Sequence, residues 1–256
     1  MARGAEIGWA AAAPATAHVL VDGPLSDELT ITGDDAHHLT RARRVRAGET
    51  VTAADGVGHW RAYEAVGIGR GTLTLRSTGV EQIEPCLLPG LGVAFALTKG
   101  EKPESVVARL TELGVDRIRP VTAQRSVVRW DEARTHAAAD RFQRVAREAA
   151  MQCRRSRLPV VEVPAPLTDL VGTPGLVVAD RRGEAPEALP DPGPGGWLLV
   201  VGPEGGLAHE ELEVLAGAPR LAVGPHVLRA ETAAVAAAAA LSGLRHEDPP
   251  DQGHGG

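Results

Sequence analysis

Apolar residues in this chain follow two different rhythms. From about residue 17 to residue 82 they alternate with polar ones in short runs, at 17–21, 29–32, 50–53, 59–66 and 72–75. Turn signals such as Gly33-Asp34, Ala47-Gly48 and Asp55-Gly56 separate the runs, and alternation between turns predicts strands. Residues 34–39, opening on Asp34-Asp35, predict one capped helical turn among them. The glycine cluster at 67–71 imitates a phosphate loop, but it lies between two strand runs and reads as a hairpin turn. Short strands at this spacing predict a small barrel over residues 1–84, with residues 1–16 loose.

The second rhythm begins near residue 90. Residues 91–97 form a continuous apolar run, as a strand buried on both faces requires. A helix is predicted from Pro103, because Val106, Val107, Leu110 and Leu113 recur at helical spacing, and Gly114 ends it. A strand at 117–121 and a helix at 137–157 follow, the helix carrying Phe142, Val145, Ala146 and Ala149 on one face and Arg141, Arg144 and Arg147 on another. Strands at 159–163, 175–180 and 197–201 and an alanine-rich helix at 233–244 complete the pattern. Strands alternating with helices predict an α/β domain on a parallel sheet over residues 90–246. The Pro/Gly/Asp-rich residues 247–256 are expected to be a disordered tail.

At 256 residues there is room for two small domains, and 43% hydrophobic residues exclude a disordered chain. With only 3% aromatic residues, the cores must be aliphatic. No apolar run reaches the roughly 20 residues of a membrane span, so no membrane partner is expected. The alanine-rich start is interrupted by Glu6, which argues against a signal peptide and for a cytoplasmic protein. Cys86 and Cys153 cannot make a disulfide framework, and neither they nor His37 and His38 have partners at metal-ligand spacing, so no metal is expected. The net charge of −6 leaves nucleic-acid binding open, since basic residues can gather on one face. Two basic stretches exist, Arg41, Arg43, Arg44 and Arg46, then Arg154, Arg155 and Arg157. Each could be a solvated surface or a grip on phosphates.

The most informative segments lie near the end. The run at 197–201 stops at Gly202-Pro203-Glu204-Gly205-Gly206, and Glu210 and Glu211 suit the start of the helix beyond. A second loop, Val223-Gly224-Pro225-His226-Val227-Leu228-Arg229, leads into Ala230-Glu231-Thr232-Ala233, with Thr232 the expected N-cap. Two strand–loop–helix turns in succession place bare backbone at the carboxyl edge of a parallel sheet, where open α/β proteins bind ligands. The spacing is not the dinucleotide fingerprint. Glu204 could meet a ligand or pair with Arg229, and the glycines, Gly205 included, are expected to let a ligand approach.

The pair of loops resembles the SPOUT methyltransferases, and within them the RsmE family, which methylates N3 of a uridine in 16S ribosomal RNA. Ala36-His37-His38-Leu39 with Arg43-Arg44-Val45-Arg46, Thr111-Glu112-Leu113-Gly114-Val115, residues 98–102, Gln124-Arg125-Ser126-Val127-Val128 and residues 148–159 carry the same resemblance, over roughly residues 36–246. The chain departs from the pattern at Arg109 and Met151. The resemblance implies a trefoil-knotted C-terminal domain behind a PUA-like RNA-binding barrel. It implies S-adenosylmethionine as cofactor, held by Leu199, Gly202, Pro203, Glu204, Gly205, Gly206, Val223, Gly224, Val227, Leu228, Glu231, Thr232 and Ala233. Arg229 is the catalytic candidate, because a cation beside the uracil oxygens would stabilise the imide anion. RNA contacts are expected from His38, Arg41, Arg43, Arg44, Arg46, Arg125, Arg154, Arg155 and Arg157. The partners implied are 16S rRNA in the small ribosomal subunit and a second copy of the chain, paired through the alanine-rich helix. No side chain stands out as a general base. Ribose 2′-O-methylation and a non-catalytic RNA-binding assembly factor are the rival readings; two intact glycine loops favour an enzyme over the latter.

Overall fold

The computed structural model describes residues 6–98, 102–126 and 130–248. Contacts divide the chain into two compact units. Residues 6–86 belong to the first, together with Ala150–Leu158, whereas Leu87–Ala149 and Pro159–Glu247 form the second. The segment at 150–158 therefore leaves the C-terminal domain in which its sequence position puts it.

In the first unit, strands β1 (Glu6–Ile7), β2 (Ala17–Leu20), β3 (Glu28–Thr32), β4 (Thr50–Ala54), β5 (His59–Gly69), β6 (Thr72–Ser77) and β7 (Gln82–Ile83) make one sheet. β5 pairs with β4, β6 and β7. A bulge between Ala65 and Gly67 lets this long strand turn from one partner to the next. The curled sheet wraps around Val19, Val51, Tyr63, Leu73 and Leu75. Ala36 of the helical turn α1 (Gly33–His37) and Leu39 of the π turn His38–Ala42 plug the same core. The glycines at 67–71 form the β5–β6 hairpin, as predicted.

Residues 6–16 are not loose. β1 pairs with β7, a 3-10 turn spans Ala10–Ala12, and Ala10 is fully buried. The cause is Trp60, whose buried indole needs an acceptor and donates to the Gly8 carbonyl at 2.8 Å.

A short strand β8 (Cys86–Leu88) lies where the chain leaves the first unit. The second unit contains β9 (Leu91–Ala96), α2 (Lys102–Glu112), β10 (Arg117–Thr122), α3 (Glu132–Cys153), β11 (Val160–Val161), β12 (Ala165–Pro166), β13 (Leu176–Glu184), β14 (Trp197–Val201), α4 (His209–Val214), β15 (Arg220–Leu221) and α5 (Ala230–Ser242). Its sheet runs β11-β10-β9-β14-β13-β15, with β12 also on β10, and every ladder among the described strands is parallel. The order reverses between β9 and β14, which makes a crevice at their carboxyl ends. Val93, Phe95, Leu110, Ile118, Phe142 and Leu199 form the core, closed by Ala234, Ala237, Ala238 and Leu241 of α5.

Helix α3 begins five residues earlier than the predicted 137 and stops four short of 157. Asp131 caps it, accepting the Arg134 N–H at 2.8 Å. At the other end Arg154 leaves helical geometry with φ +60. His246–Asp248 form a strand, β16, so the predicted tail starts at least two residues later, and residues 249–256 lie outside the described ones.

Candidate active site

Strands β9, β14 and β13 are in register, Val200 standing beside Ala94 and Val178, and Val178 stands beside Arg220 of β15. The loops that follow open together on a cavity of about 590 Å³, within the roughly 300–1,000 Å³ of small-molecule pockets. Gly202, Pro203, Glu204 and Gly206 line it from the loop after β14, and Val227, Leu228, Arg229 and Ala233 from the loop before α5 and its first turn. Arg125 enters from the loop after β10. An adjoining hollow of about 270 Å³ shares Val227, Leu228 and Ala233 and adds Val223 and Gly224.

Glycine has a distinct reason at each place. Gly206 has φ +73 and donates its N–H to the Pro203 carbonyl at 2.9 Å, a tight turn that favours glycine. A side chain on Gly202 would sit 3.1 Å from Leu207 Cδ2. Gly205 does not face the cavity: a Cβ there would stand 3.4 Å from the Cβ and carbonyl of Arg125. Its bareness admits Arg125, whose Nη1 donates to the Gly205 carbonyl at 3.4 Å.

Glu211 sets the loop's far end. This buried carboxylate accepts the Ala208 N–H and the Gln124 N–H, each at 2.7 Å, which starts α4 and ties the loop after β14 to the loop after β10. Gln124 Nε2 also donates to Glu210 at 2.6 Å.

Before α5 the loop is held less tightly. Arg229, not Thr232, is the N-cap residue, and no side chain caps the helix. Among the described residues, no backbone N–H between Val223 and Arg229 donates within the protein, which leaves a row of donors beside the cavity. Glu204 and Arg229 form no ion pair among the described residues; both are exposed at the rim.

Besides Gly205, three further expected ligand contacts lie elsewhere. Leu199 is fully buried in the core. Glu231 and Thr232 line a separate groove with Lys102, Ser105 and Arg109. There Lys102 Nζ lies 2.9 Å from Glu231, and that hydrogen bond, followed by the Glu231 backbone N–H, holds the carboxyl below its usual range. The positive charges of Lys102 and Arg229 act in the same direction.

The two basic stretches differ. His38, Arg41, Arg43, Arg44 and Arg46 are exposed, and none of the arginines meets a carboxylate among the described residues. Arg44 has φ +57, while buried Val45 anchors the turn between its charged neighbours. Arg154 and Arg157 are committed instead to the first unit's backbone. Arg154 donates to the carbonyls of Ala13 at 3.0 Å and Ala15 at 2.5 Å. Arg157 donates to Glu84 O at 3.2 and 2.8 Å and to Val57 O at 2.6 Å, lying flat on Gly58 where a Cβ would collide with it. These two guanidinium groups are structural, so the expected phosphate grip does not belong to them. Next to them, burial raises the Glu84 carboxyl pKa, against the Ser156 N–H donated to it at 2.6 Å.

Asp180, Arg182 and Arg220 also line the cavity and were not among the expected residues. The signal was available: Asp180-Arg181-Arg182-Gly183 directly follows the buried apolar run of β13, as the glycine loop follows β14. Among the described residues no cluster of three or more His, Cys, Asp or Glu could hold a metal ion, and no helix is long and apolar enough to cross a membrane.

Residues 87–242 match the RNA methyltransferase domain family, and residues 31–76 match the RNA methyltransferase PUA domain family. The ribosomal RNA small subunit methyltransferase E of Mycobacterium tuberculosis is 36% identical over 231 residues, covering 84% of this chain and 86% of that protein. Its Bacillus subtilis counterpart is 30% identical over 230 residues, 83% of this chain and 89% of the other. The crystal structure of ribosomal RNA small subunit methyltransferase E from Neisseria gonorrhoeae bound to S-adenosyl methionine superimposes with a TM-score of 0.78 at 24% identity, over 89% of this chain and 97% of that one, a likeness of fold. A parallel α/β domain behind an N-terminal PUA domain, with two glycine loops meeting over one cavity, thus coincides with sequence identity along most of the chain, which belongs to the ribosomal RNA small subunit methyltransferase E family.

Proposed function

We propose that this chain transfers a methyl group from S-adenosylmethionine to N3 of a uridine in 16S rRNA of the small ribosomal subunit. One observation carries the reading: the two glycine loops and Arg229 converge on one cavity at the carboxyl edge of the sheet. The cavity suits the cofactor chemically. The N–H groups from 223 to 229, Pro225 excepted, have no acceptor among the described residues and can meet the acceptor nitrogens of an adenine, and Val223, Val227, Leu228 and Ala233 offer apolar surface to its ring. Gly202, Pro203, Glu204 and Gly206 would close the other side.

S-adenosylmethionine supplies an electrophilic methyl on a sulfonium when bound. The protein has to hold the uracil in line with it and favour loss of the N3 proton. The exposed Arg229 guanidinium is free to face the uracil oxygens and stabilise the imide anion. Asp180 is a poor base, because the Arg182 backbone N–H and then Arg220 hold its carboxyl below the usual range. The proton leaves to water in this scheme.

Arg41, Arg43, Arg44 and Arg46 would grip RNA phosphates from the first unit, with His38 beside them and Arg125 at the cavity in the second. We also assign to this chain the trefoil knot of its family and a homodimer built on the small-residue face of α5, where Val235, Ala236 and Ala239 line an open groove with α2. Such an enzyme works in the cytoplasm, where ribosomal subunits are made.

The test has two steps. Isothermal titration should detect S-adenosylmethionine binding, which a non-catalytic assembly factor would lack. Nucleoside mass spectrometry of small subunits incubated with protein and cofactor should then find 3-methyluridine. Finding 2′-O-methyl nucleosides instead would reject the reaction, and light scattering that shows a fully active monomer would reject the dimer.

A further inference from the structure

Four arginines, Arg125, Arg182, Arg220 and Arg229, line the cavity against only two carboxylates, Asp180 and Glu204. S-adenosylmethionine has a single carboxylate and two cationic centres, so it does not account for this excess of positive charge.

Two of the arginines are held by a built device. The β13 ladder on β15 breaks after Ala179, which stands opposite Leu221, and resumes at Glu184 opposite the same residue. Residues 180–183 are thereby pushed out of the sheet at the cavity mouth. Gly183 backs onto the Arg220 main chain with no room for a Cβ, so the bulge depends on glycine there. Within the bulge, Asp180 Oδ1 accepts the Arg182 N–H at 3.0 Å, and Oδ2 takes Arg220 Nη1. Asp180 is 19% exposed, whereas the side chains of Arg220 and Arg182 are 49% and 83% exposed, so the carboxylate is enclosed and the donors face out. Each Asp180 oxygen thus accepts a hydrogen bond from a different arginine of the pair. Its geometry is that of an orienting group.

We infer that Arg182 and Arg220, positioned by Asp180 on the β13 bulge, form an anion-binding wall that receives a phosphodiester of the RNA beside the target nucleotide. The inference rests on the methyltransferase reading and deepens it. Arg229 is left to the base, and the wall fixes the strand on which the base sits. A guanidinium fork suits a phosphate better than an ammonium does.

Co-sedimentation of the full-length protein with small ribosomal subunits, at roughly 50–200 mM monovalent salt and constant magnesium, tests the wall. Arg182→Ala with Arg220→Ala should weaken binding about tenfold near 0.15 M salt. It should also flatten the slope of log affinity against log salt by about 1–2. Arg182→Lys with Arg220→Lys should restore the slope but only part of the affinity. Asp180→Asn should weaken binding about threefold at an unchanged slope, since both cations remain. The circular dichroism spectrum of the same variants should match the wild type, which shows that they fold, and titration should find any loss of S-adenosylmethionine affinity smaller than the loss of subunit affinity. An unchanged slope in the double alanine variant overturns the inference, as does a loss of cofactor affinity with subunit binding intact, which would assign the wall to the methionine carboxylate. If the wild type neither binds the cofactor nor methylates the subunit, it is the parent reading that fails.

Discussion

Arg41, Arg43, Arg44 and Arg46 end in solvent with no carboxylate beside them among the described residues, while Arg154 and Arg157 end on carbonyl oxygens of the same unit. The stretches have almost the same composition. Their surroundings decide their use: the first leaves a helical turn with only Val45 buried, the second follows α3 into a nest of main-chain acceptors left by Ala13, Ala15, Val57 and Glu84. An arginine that satisfies main-chain carbonyls is a structural part. One without such partners keeps its charge for a polyanion. Arg125 stands between these cases, with one long hydrogen bond to Gly205 and an otherwise exposed side chain.

The largest expected effect lies on the buried side of this contrast. His18 is held neutral, its pKa lowered to about 4, chiefly by burial and further by the charge of Arg154. Because the folded value lies below the ordinary 6.5, the unfolded chain takes up the proton first as pH falls. This stability is fully present above pH 6.5 and is lost progressively towards pH 4, by about 3 kcal/mol. Denaturant melts of the intact protein across that range should show the loss, and an imidazole seen by NMR to titrate near 6.5 in the folded state would remove its cause.

Next comes Arg157→Ala, which strips Glu84 O and Val57 O of their donor. About 2 kcal/mol of stability should go, and calorimetry should register it as a lower melting temperature. A variant that melts with the wild type would erase the distinction between the two stretches.

Arg43→Ala, Arg44→Ala and Arg46→Ala together should do the reverse. Melting should hardly move, since exposed charges without partners contribute little. Subunit binding should weaken roughly tenfold, with the salt slope reduced by about 2, while cofactor affinity is unaffected. A triple variant that unfolds, or one whose salt slope is unchanged, would break the comparison from the exposed side.

Gly205→Val is the smallest change. Its side chain meets Arg125 rather than the cavity, so cofactor affinity should fall by less than about threefold, through displacement of one exposed arginine. Complete loss of cofactor binding, measured by titration, would show that the loop closes on the ligand more tightly than this geometry describes.

Local patterns made much of this legible. Alternation located β5 and β6 with their hairpin, and continuous apolar runs located β9 and β14. Both glycine loops were visible because glycine and proline interrupt those runs. What escaped depends on direction in space. Around a helix each residue turns about 100°, so Arg229, Ala230 and Ala233 face the cavity while Glu231 and Thr232 between them point to the groove against α2. The bulge at 180–183 escaped because an apolar run that ends in Asp-Arg-Arg reads as the end of a strand, and only the pairing with β15 shows the strand continuing to Glu184. The early start of the first sheet was hidden because its anchor, the Gly8 carbonyl, meets Trp60 52 residues away in sequence.

The placement of Ala150–Leu158 has a consequence for the order of assembly. Residues 6–86 leave the ribosome well before 150–158 do, yet Ala150 sits in the cluster of Ala10, Leu20, Ala54 and Trp60, and Arg154 and Arg157 satisfy carbonyls at both ends of that segment. The first unit therefore cannot complete its core in the sequence order in which it is synthesised. It waits for more than sixty residues of the second unit to emerge, and its final closure is a long-range event. A nascent chain halted before residue 150 should leave the Trp60 pocket open and accessible to protease, and lengthening it past residue 158 should close that pocket in one step.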